Sequence, residues 1–200
     1  ELDYATYVAH LDVRVPVPAL GARVVYASVD VMDPPAAEPV PPLVESVDNG
    51  ILRLCFDPAT GWLTGLQDTA SGIEFLAGPA AVPIVIDDPS DTWSHDIEAF
   101  RDLKGRFSAL IAPETVEVGP VRAKVRVTME HEGSALVQEI SLYRGVPRID
   151  VRLTVDYEGH HEFLKLTFPT ALREVTATYE TPYAFAVRTA SGNEEPAQKW

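Results

Sequence analysis

Val121-Arg122-Ala123-Lys124-Val125-Arg126-Val127-Thr128-Met129 alternates apolar and polar residues at almost every step. A side-chain period of two belongs to a β-strand, so Val121, Ala123, Val125, Val127 and Met129 share one face and Arg122, Lys124, Arg126 and Thr128 the other. The pattern returns downstream. Leu136, Ile140 and Leu142 follow a turn at Glu132-Gly133-Ser134, and Ile149, Val151, Leu153, Val155 and Tyr157 alternate against Asp150, Arg152, Thr154 and Asp156. Leu164, Leu166 and Phe168 then follow a turn at Glu158-Gly159-His160. Two-faced strands joined by short turns predict an antiparallel meander with its apolar face buried against another layer. The register expected from this buries Val121, Ala123, Val125 and Val127 beside Leu136, Ile140, Ile149, Val151, Leu153 and Val155. It leaves Arg122, Lys124 and Arg126 outside, because a one-residue slip would bury three cations.

Upstream the strands are shorter. Asn49-Gly50 punctuates the chain, and Asp57-Pro58-Ala59-Thr60-Gly61 reads as the turn of a hairpin between residues 51–56 and 62–67. Residues 82–86 are apolar and β-branched, residues 87–96 a polar loop, and residues 97–102 one helical turn at most. Five prolines between Asp33 and Pro42 make a stiff extended segment. The expected organisation is a small preceding β-domain segment over residues 1–32, a proline-rich linker over 33–45, and a β-sandwich over 46–200 truncated at its C-terminal side. No fixed repeat marks a propeller or solenoid. The fold class is all-β, an antiparallel multi-sheet sandwich.

Sixteen basic against thirty acidic residues give a net charge of −14, and 46% of the 200 residues are hydrophobic. A folded domain with a sizeable core is expected. Nucleic acid and anionic membranes need a positive surface, so neither is an expected partner. Apolar runs are too short to cross a bilayer, and acidic Glu1, Asp3 and Asp12 stand where a signal peptide would be basic, then apolar. The chain has no initiator Met and reads as an excised piece. Its one cysteine, Cys55, lies in a strand-like run, and no Asn-x-Ser/Thr sequon occurs, which favours a reducing, cytoplasmic compartment.

Chemistry-bearing motifs are scarce. His160 and His161 are adjacent and would point to opposite faces of a strand, so they do not chelate one ion; His10 and His131 are isolated and read as surface residues. There is no His-Glu-x-x-His, no cysteine pair, no Gly-x-Ser-x-Gly and no phosphate loop. One segment stands out: Asp91-Thr92-Trp93-Ser94-His95-Asp96. A Trp can stack on the apolar face of a sugar and an Asp can accept its hydroxyls. Equally, Trp93 could plug the edge of the core from a surface loop.

These residues bear a family likeness. Asn49-Gly50-Ile51-Leu52, Asp57 and Thr60-Gly61-Trp62-Leu63-Thr64-Gly65-Leu66-Gln67-Asp68 open it, and the Asp91–His95 loop and Gly119-Pro120-Val121-Arg122-Ala123 continue it. Gln138-Glu139-Ile140-Ser141-Leu142-Tyr143, Pro147-Arg148-Ile149-Asp150 and Leu164-Lys165-Leu166-Thr167-Phe168-Pro169 follow, before Tyr179-Glu180-Thr181-Pro182-Tyr183 and Glu195-Pro196-Ala197-Gln198-Lys199-Trp200. In this order the set resembles the C-terminal β-region of the α-mannosidases of glycoside hydrolase family 38, with residues 1–31 similar to the short β-domain before it. The resemblance departs at Thr92 and Trp93, where the family often has Gly and Tyr, and at Ala184, where many members have Gly.

The resemblance implies a partial galactose-mutarotase-like supersandwich in a parent enzyme that hydrolyses terminal α-mannosides with retention. It also implies an Asp nucleophile, a second acid and a divalent metal, commonly zinc, all in an N-terminal catalytic domain absent from these residues. No catalytic residue, metal ligand or cofactor is therefore assigned within this chain. Asp91, Thr92, Trp93 and His95 are the residues similar to a substrate-pocket loop. The implied partners are the catalytic domain of the same chain and, through the whole enzyme, mannose-containing glycans. The alternatives are a carbohydrate-binding module and a purely structural or interaction sandwich. A binding module needs Trp62 and Trp93 exposed on one face, whereas Trp62 is expected in the core.

Overall fold

A computed structural model describes residues 13–26, 45–90, 93, 95, 97, 99–190, 194, 195 and 197–199. Thirteen strands and no helix occur among them. The largest sheet has five strands: β6 (Ser108–Ala109), β7 (Glu114–Val118), β8 (Arg122–His131), β9 (Ser134–Tyr143) and β10 (Ile149–Asp156), in the order β10-β9-β8-β6 with β7 also on β8. A second sheet is the meander β1 (Ser46–Asp48), β2 (Leu52–Phe56) and β3 (Leu63–Asp68). In the third, β4 (Val82–Asp87) lies between β11 (Glu162–Thr167) and β5 (Leu103–Arg106), and β12 (Thr176–Thr181) with β13 (Ala184–Thr189) makes a hairpin.

The strand that decides the fold behaves as its alternation requires. β8 and β9 pair without a break from Arg122↔Tyr143 to His131↔Ser134. Glu132 and Gly133 close the hairpin, both at positive φ (44° and 86°), the geometry a two-residue turn between twisted strands needs. Val125, Val127 and Met129 of β8 face Leu136, Ile140 and Leu142 of β9 within the core. Leu54, Phe56 and Leu63 of the β1–β3 sheet, Val85 of β4 and Phe107 of the link between β5 and β6 join them in one core cluster.

The β2–β3 hairpin is docked through its turn. The Asp57 carboxylate accepts the Ala59 N–H at 2.9 Å and the Thr60 hydroxyl at 2.8 Å, and the Ala109 N–H donates to Thr60 O at 2.9 Å. Those bonds, the Ala59 N–H foremost, hold the Asp57 carboxyl below the usual carboxylate range. Gly61 sits at φ 73°, and a Cβ there would collide with Val127. Asn49 ties the other end. It is 4% exposed, its amide donates to Tyr143 O and Val146 O at 2.9 Å, and its Oδ1 accepts the N–H groups of Ile51 and Leu52.

Three sequence expectations need correction. Leu153 and Val155 are 36% and 40% exposed rather than core. Val121, Ala123, Ile149 and Val151 are half-buried. Leu153, Val155, Ile149 and Val151 lie on β10, a sheet edge with β9 as its partner, and of these only Ile149 and Val151 pack against the core, whereas Val121 and Ala123 lie at the start of β8. Second, β11 does not extend the meander: it pairs with β4, Glu162 opposite Asp87 through Thr167 opposite Val82. His161, at φ 54°, turns the chain there. Third, His131 is not a simple surface residue. Its ring packs on Phe107 with centroids 5.6 Å apart, in space where a Cβ on Gly105 would collide with it.

Arg122, Lys124 and Arg126 do lie on the outer face. Arg122 pairs with Glu117 at 2.6 Å, and Arg126 with Glu139 at 3.0 Å and Glu114 at 3.5 Å. The expected linker lies outside the described residues except for Glu45. Arg14 of the described 13–26 segment donates to Arg144 O at 2.6 Å.

Val125, at 0% exposure, gives a direct check. Val125→Ala is expected to cost about 1–3 kcal/mol in urea denaturation, and Arg126→Ala, whose ion pairs are half in water, less than about 1 kcal/mol. Gln138 offers a check of opposite sign. It shares the apolar face at 0% exposure, and both its amide atoms are buried without a hydrogen-bond partner. Gln138→Met is expected to be neutral or to stabilise by about 1 kcal/mol, since it removes two unsatisfied groups at similar volume. A loss comparable to that of Val125→Ala would refute this reading.

Candidate functional site

Residues 88–102 connect β4 to β5, so the polar loop singled out in the sequence leaves and re-enters one three-stranded sheet. Asp91 and Thr92 lie outside the described residues. Trp93 and His95 are described and exposed, Trp93 at 79%. That exposure removes the reading in which Trp93 plugs the core. Residues 97 and 99–102 carry no helical turn.

Both stems are fixed by contacts distant in sequence. At the start, the Asp87 N–H donates to Asp102 O at 2.8 Å and the Asp88 N–H to His161 O at 2.9 Å. The Asp88 carboxylate caps the Pro89 turn by accepting the N–H and hydroxyl of Ser90. At the far stem, Phe100 stacks on Phe163 with centroids 5.3 Å apart and planes 12° from parallel. The Lys165 ammonium donates to Phe100 O at 2.6 Å, lies over both rings and pairs with Glu194. That ammonium, with the Phe100 N–H also bonding the carboxylate, holds the Glu194 carboxyl below its ordinary range. An ion pair over two stacked rings resists displacement better than any one of these contacts alone.

Beneath the loop lies a compact polar cluster. Glu162, with a side chain 11% exposed, accepts Lys104 at 2.5 Å on one oxygen and the Tyr157 hydroxyl at 2.7 Å on the other. Asp87 stands 3.8 Å from the same ammonium. Desolvation, then the bond to Glu162, pushes the Tyr157 hydroxyl up to about 12. Lys104 first, then Tyr157, draw the Glu162 carboxyl down, and the Lys104 pKa is raised in turn by that bond. This cluster joins β11 and β5 to Tyr157 at the end of β10, so the sheet carrying the loop cannot tilt freely against the large sheet. The sequence reading assigned no role to Phe100, Lys104, Glu162 or Glu194; it placed Tyr157 only as the last apolar residue of a strand pattern, and Lys165 only as the cation between Leu164 and Leu166 in a quoted motif. Their roles depend on β11 pairing with β4 some 80 residues earlier.

Trp62 and Trp93 are not both fully exposed, as a shared platform would require. Trp62 is half-buried against the core, its indole N–H donates to Phe107 O at 2.8 Å, and it lines an apolar groove with Pro79, Val82, Ile84, Arg106, Thr167 and Pro169. Among the described residues, no group of three or more His, Cys, Asp and Glu could hold a metal ion. The described residues therefore offer no ligand set that fits the divalent metal implied by the resemblance. Cys55 is a free thiol, partly buried.

The Glu162 cluster makes stability depend on pH in one direction. A carboxyl held below its unfolded value stabilises the fold above the ordinary carboxylate range and loses that effect as pH falls through the depressed value. The melting temperature of Glu162→Gln is expected to lie below that of the wild type at about pH 7, with the gap closing towards about pH 3. A gap that does not change with pH would show that the carboxylate charge contributes nothing.

Comparison with known proteins bears on what this scaffold belongs to. Residues 47–200 match the model of the glycosyl hydrolases family 38 C-terminal domain. The chain is 30% identical over 158 residues to mouse alpha-mannosidase 2C1, covering 74% of the chain and 15% of that protein. It is 31% identical over 153 residues to human alpha-mannosidase 2C1, covering 72% of the chain and 14% of that protein. The chain thus spans about one seventh of the length of the relatives it matches. An all-β scaffold in the expected motif order and a family match across most of its length lead to one conclusion: the chain belongs to glycosyl hydrolase family 38, within that family's C-terminal domain.

Proposed function

We propose that this chain is a non-catalytic β-domain of a retaining α-mannosidase. It supports a catalytic domain outside these residues and lends the 88–102 loop to the wall of the mannose-binding pocket. The observation that carries this reading is a loop clamped at both stems that presents Trp93 at 79% exposure. A rigid scaffold with an aromatic side chain held out on a loop is the arrangement sugar recognition uses. Asp91 accepts a sugar hydroxyl or holds the loop tip, Trp93 forms an apolar wall, and Thr92 and His95 share the segment. The nucleophile, the acid and the divalent metal, taken as zinc, belong to the catalytic domain. The whole enzyme would take mannose-containing glycans as substrate, in the cytoplasm, where the free thiol Cys55 is stable.

On this reading residues 1–32 belong to a small preceding β-domain, 33–45 are its linker, and 46–200 begin a supersandwich of galactose-mutarotase type. A free-standing carbohydrate-binding module has less support, because Trp62 spends its indole N–H and much of its ring on the core.

Two measurements test the proposal. The purified 200-residue chain is expected to show no zinc-dependent turnover of aryl α-mannosides; turnover by the clean fragment would place catalytic groups within it. In the full-length enzyme, Asp91→Ala is expected to lower kcat/KM by about tenfold or more, roughly 1.4 kcal/mol per decade, with little change in melting temperature. Early melting with normal kinetics in the folded fraction would make Asp91 a structural turn residue and remove the pocket role.

A further inference from the structure

Phe100 belongs to no strand, yet both polar groups of its backbone are bonded. Its C=O accepts the Lys165 ammonium at 2.6 Å, and its N–H donates to the Glu194 carboxylate. Lys165 and Glu194 also pair with each other, so one ion pair brackets one residue's main chain as a neighbouring strand would. The two halves of the bracket come from different places. Lys165 lies in β11, on the far side of β4 from the β5 strand that Phe100 leads into, and Glu194 follows β13. The Phe100 and Phe163 rings lie beside the ammonium, with centroids 5.9 and 5.7 Å away, and the Lys165 side chain is 23% exposed. Partial removal from water strengthens charge-assisted bonds of this kind.

Trp93 stands five residues after Asp88 at the near stem and seven before Phe100 at the far one. With both ends fixed, the connection has few ways to place its tip; with the far end loose, it is tethered by the near stem alone. We propose that Lys165, together with Glu194, is a positioning residue for the sugar-facing loop: the pair fixes the Phe100 main chain and thereby holds Asp91 and Trp93 at the mannoside. This rests on the pocket role proposed for the loop and adds the residues that set its place.

Neither Lys165 nor Glu194 touches substrate on this account. A loop that serves as a wall contacts the sugar in ground state and transition state alike, so a displaced wall is felt in KM rather than in kcat. The chemistry of the bracket also says which replacements keep it. A guanidinium at position 165 still donates to both the Phe100 carbonyl and the Glu194 carboxylate, whereas a thioether packs on the rings and donates to neither.

Steady-state hydrolysis of an aryl α-mannoside by the full-length enzyme tests this, with Asp91→Ala measured alongside. Lys165→Met is expected to raise KM about threefold to tenfold with kcat within about twofold, and Lys165→Arg to stay within about twofold of the wild type in both. The double variant Asp91→Ala/Lys165→Met is expected to lose little more than Asp91→Ala alone, because a displaced loop has already lost that contact. Normal KM in Lys165→Met beside an impaired Asp91→Ala would overturn the positioning role and leave the pocket reading standing. Losses that multiply in the double variant would overturn it too, since the two residues would then act independently. Normal kinetics in both single variants would remove the pocket reading and the positioning role together. If Lys165→Met does not fold, Glu194→Gln carries the test: a KM about threefold higher is expected, and an unchanged KM overturns the proposal.

Discussion

The apolar face shared by β8 and β9 must leave water, and most of the structure follows from how that is done. Val125, Val127, Met129, Leu136, Ile140 and Leu142 form a continuous patch that one sheet cannot bury by itself. The β2–β3 hairpin and β4 supply the opposing layer. The hairpin reaches close enough only because Gly61 has no side chain to meet Val127. Asn49 then fixes where that layer sits, since its side chain bonds both its own turn and the carbonyls of Tyr143 and Val146 across the sandwich. A buried amide with its bonds satisfied in one geometry selects that geometry over near alternatives.

With the layers set, the loop between β4 and β5 inherits its position. The sheet contributes the backbone pairs at the near stem, and the Lys165–Glu194–Phe100 knot contributes the far one. The two anchors differ in physics. The near stem's long-range contacts are neutral backbone hydrogen bonds, beside a local cap by the Asp88 carboxylate. The far stem uses a partly exposed ion pair and cation–π contacts, which weaken as ions screen them. The Glu162 cluster beneath adds a third restraint between the sheets and ties the loop's footing to the protonation of one carboxylate.

Excess negative charge is partly organised by local partners. Asp57 and Asp68 cap turns and keep depressed carboxyl pKa values, Asp68 chiefly through the Ser71 N–H. Glu117, Glu114 and Glu139 neutralise the arginines of β8, and Arg126 draws the Glu139 carboxyl down. The outer face of the large sheet is therefore a charge-balanced ladder within a chain of net charge −14.

The sequence by itself determined the all-β class, the β2–β3 and β8–β9 hairpins, the inward and outward faces of β8, and the family. Each of these is written in local alternation, turn residues or ordered motifs, which a linear reading can see. It also singled out the segment around Trp93, which the structure places in the connection between β4 and β5 with Trp93 exposed. What only the tertiary structure decided is long-range. The pairing of β11 with β4, the exposure of Leu153 and Val155, the packing of His131 on Phe107, and the clamps at Phe100 and Glu162 all depend on which strand lies beside which. Alternation tells a strand which face is apolar; it does not tell the strand its neighbour or where the covering layer ends. Those are settled by the competition among several similar strands for one limited core.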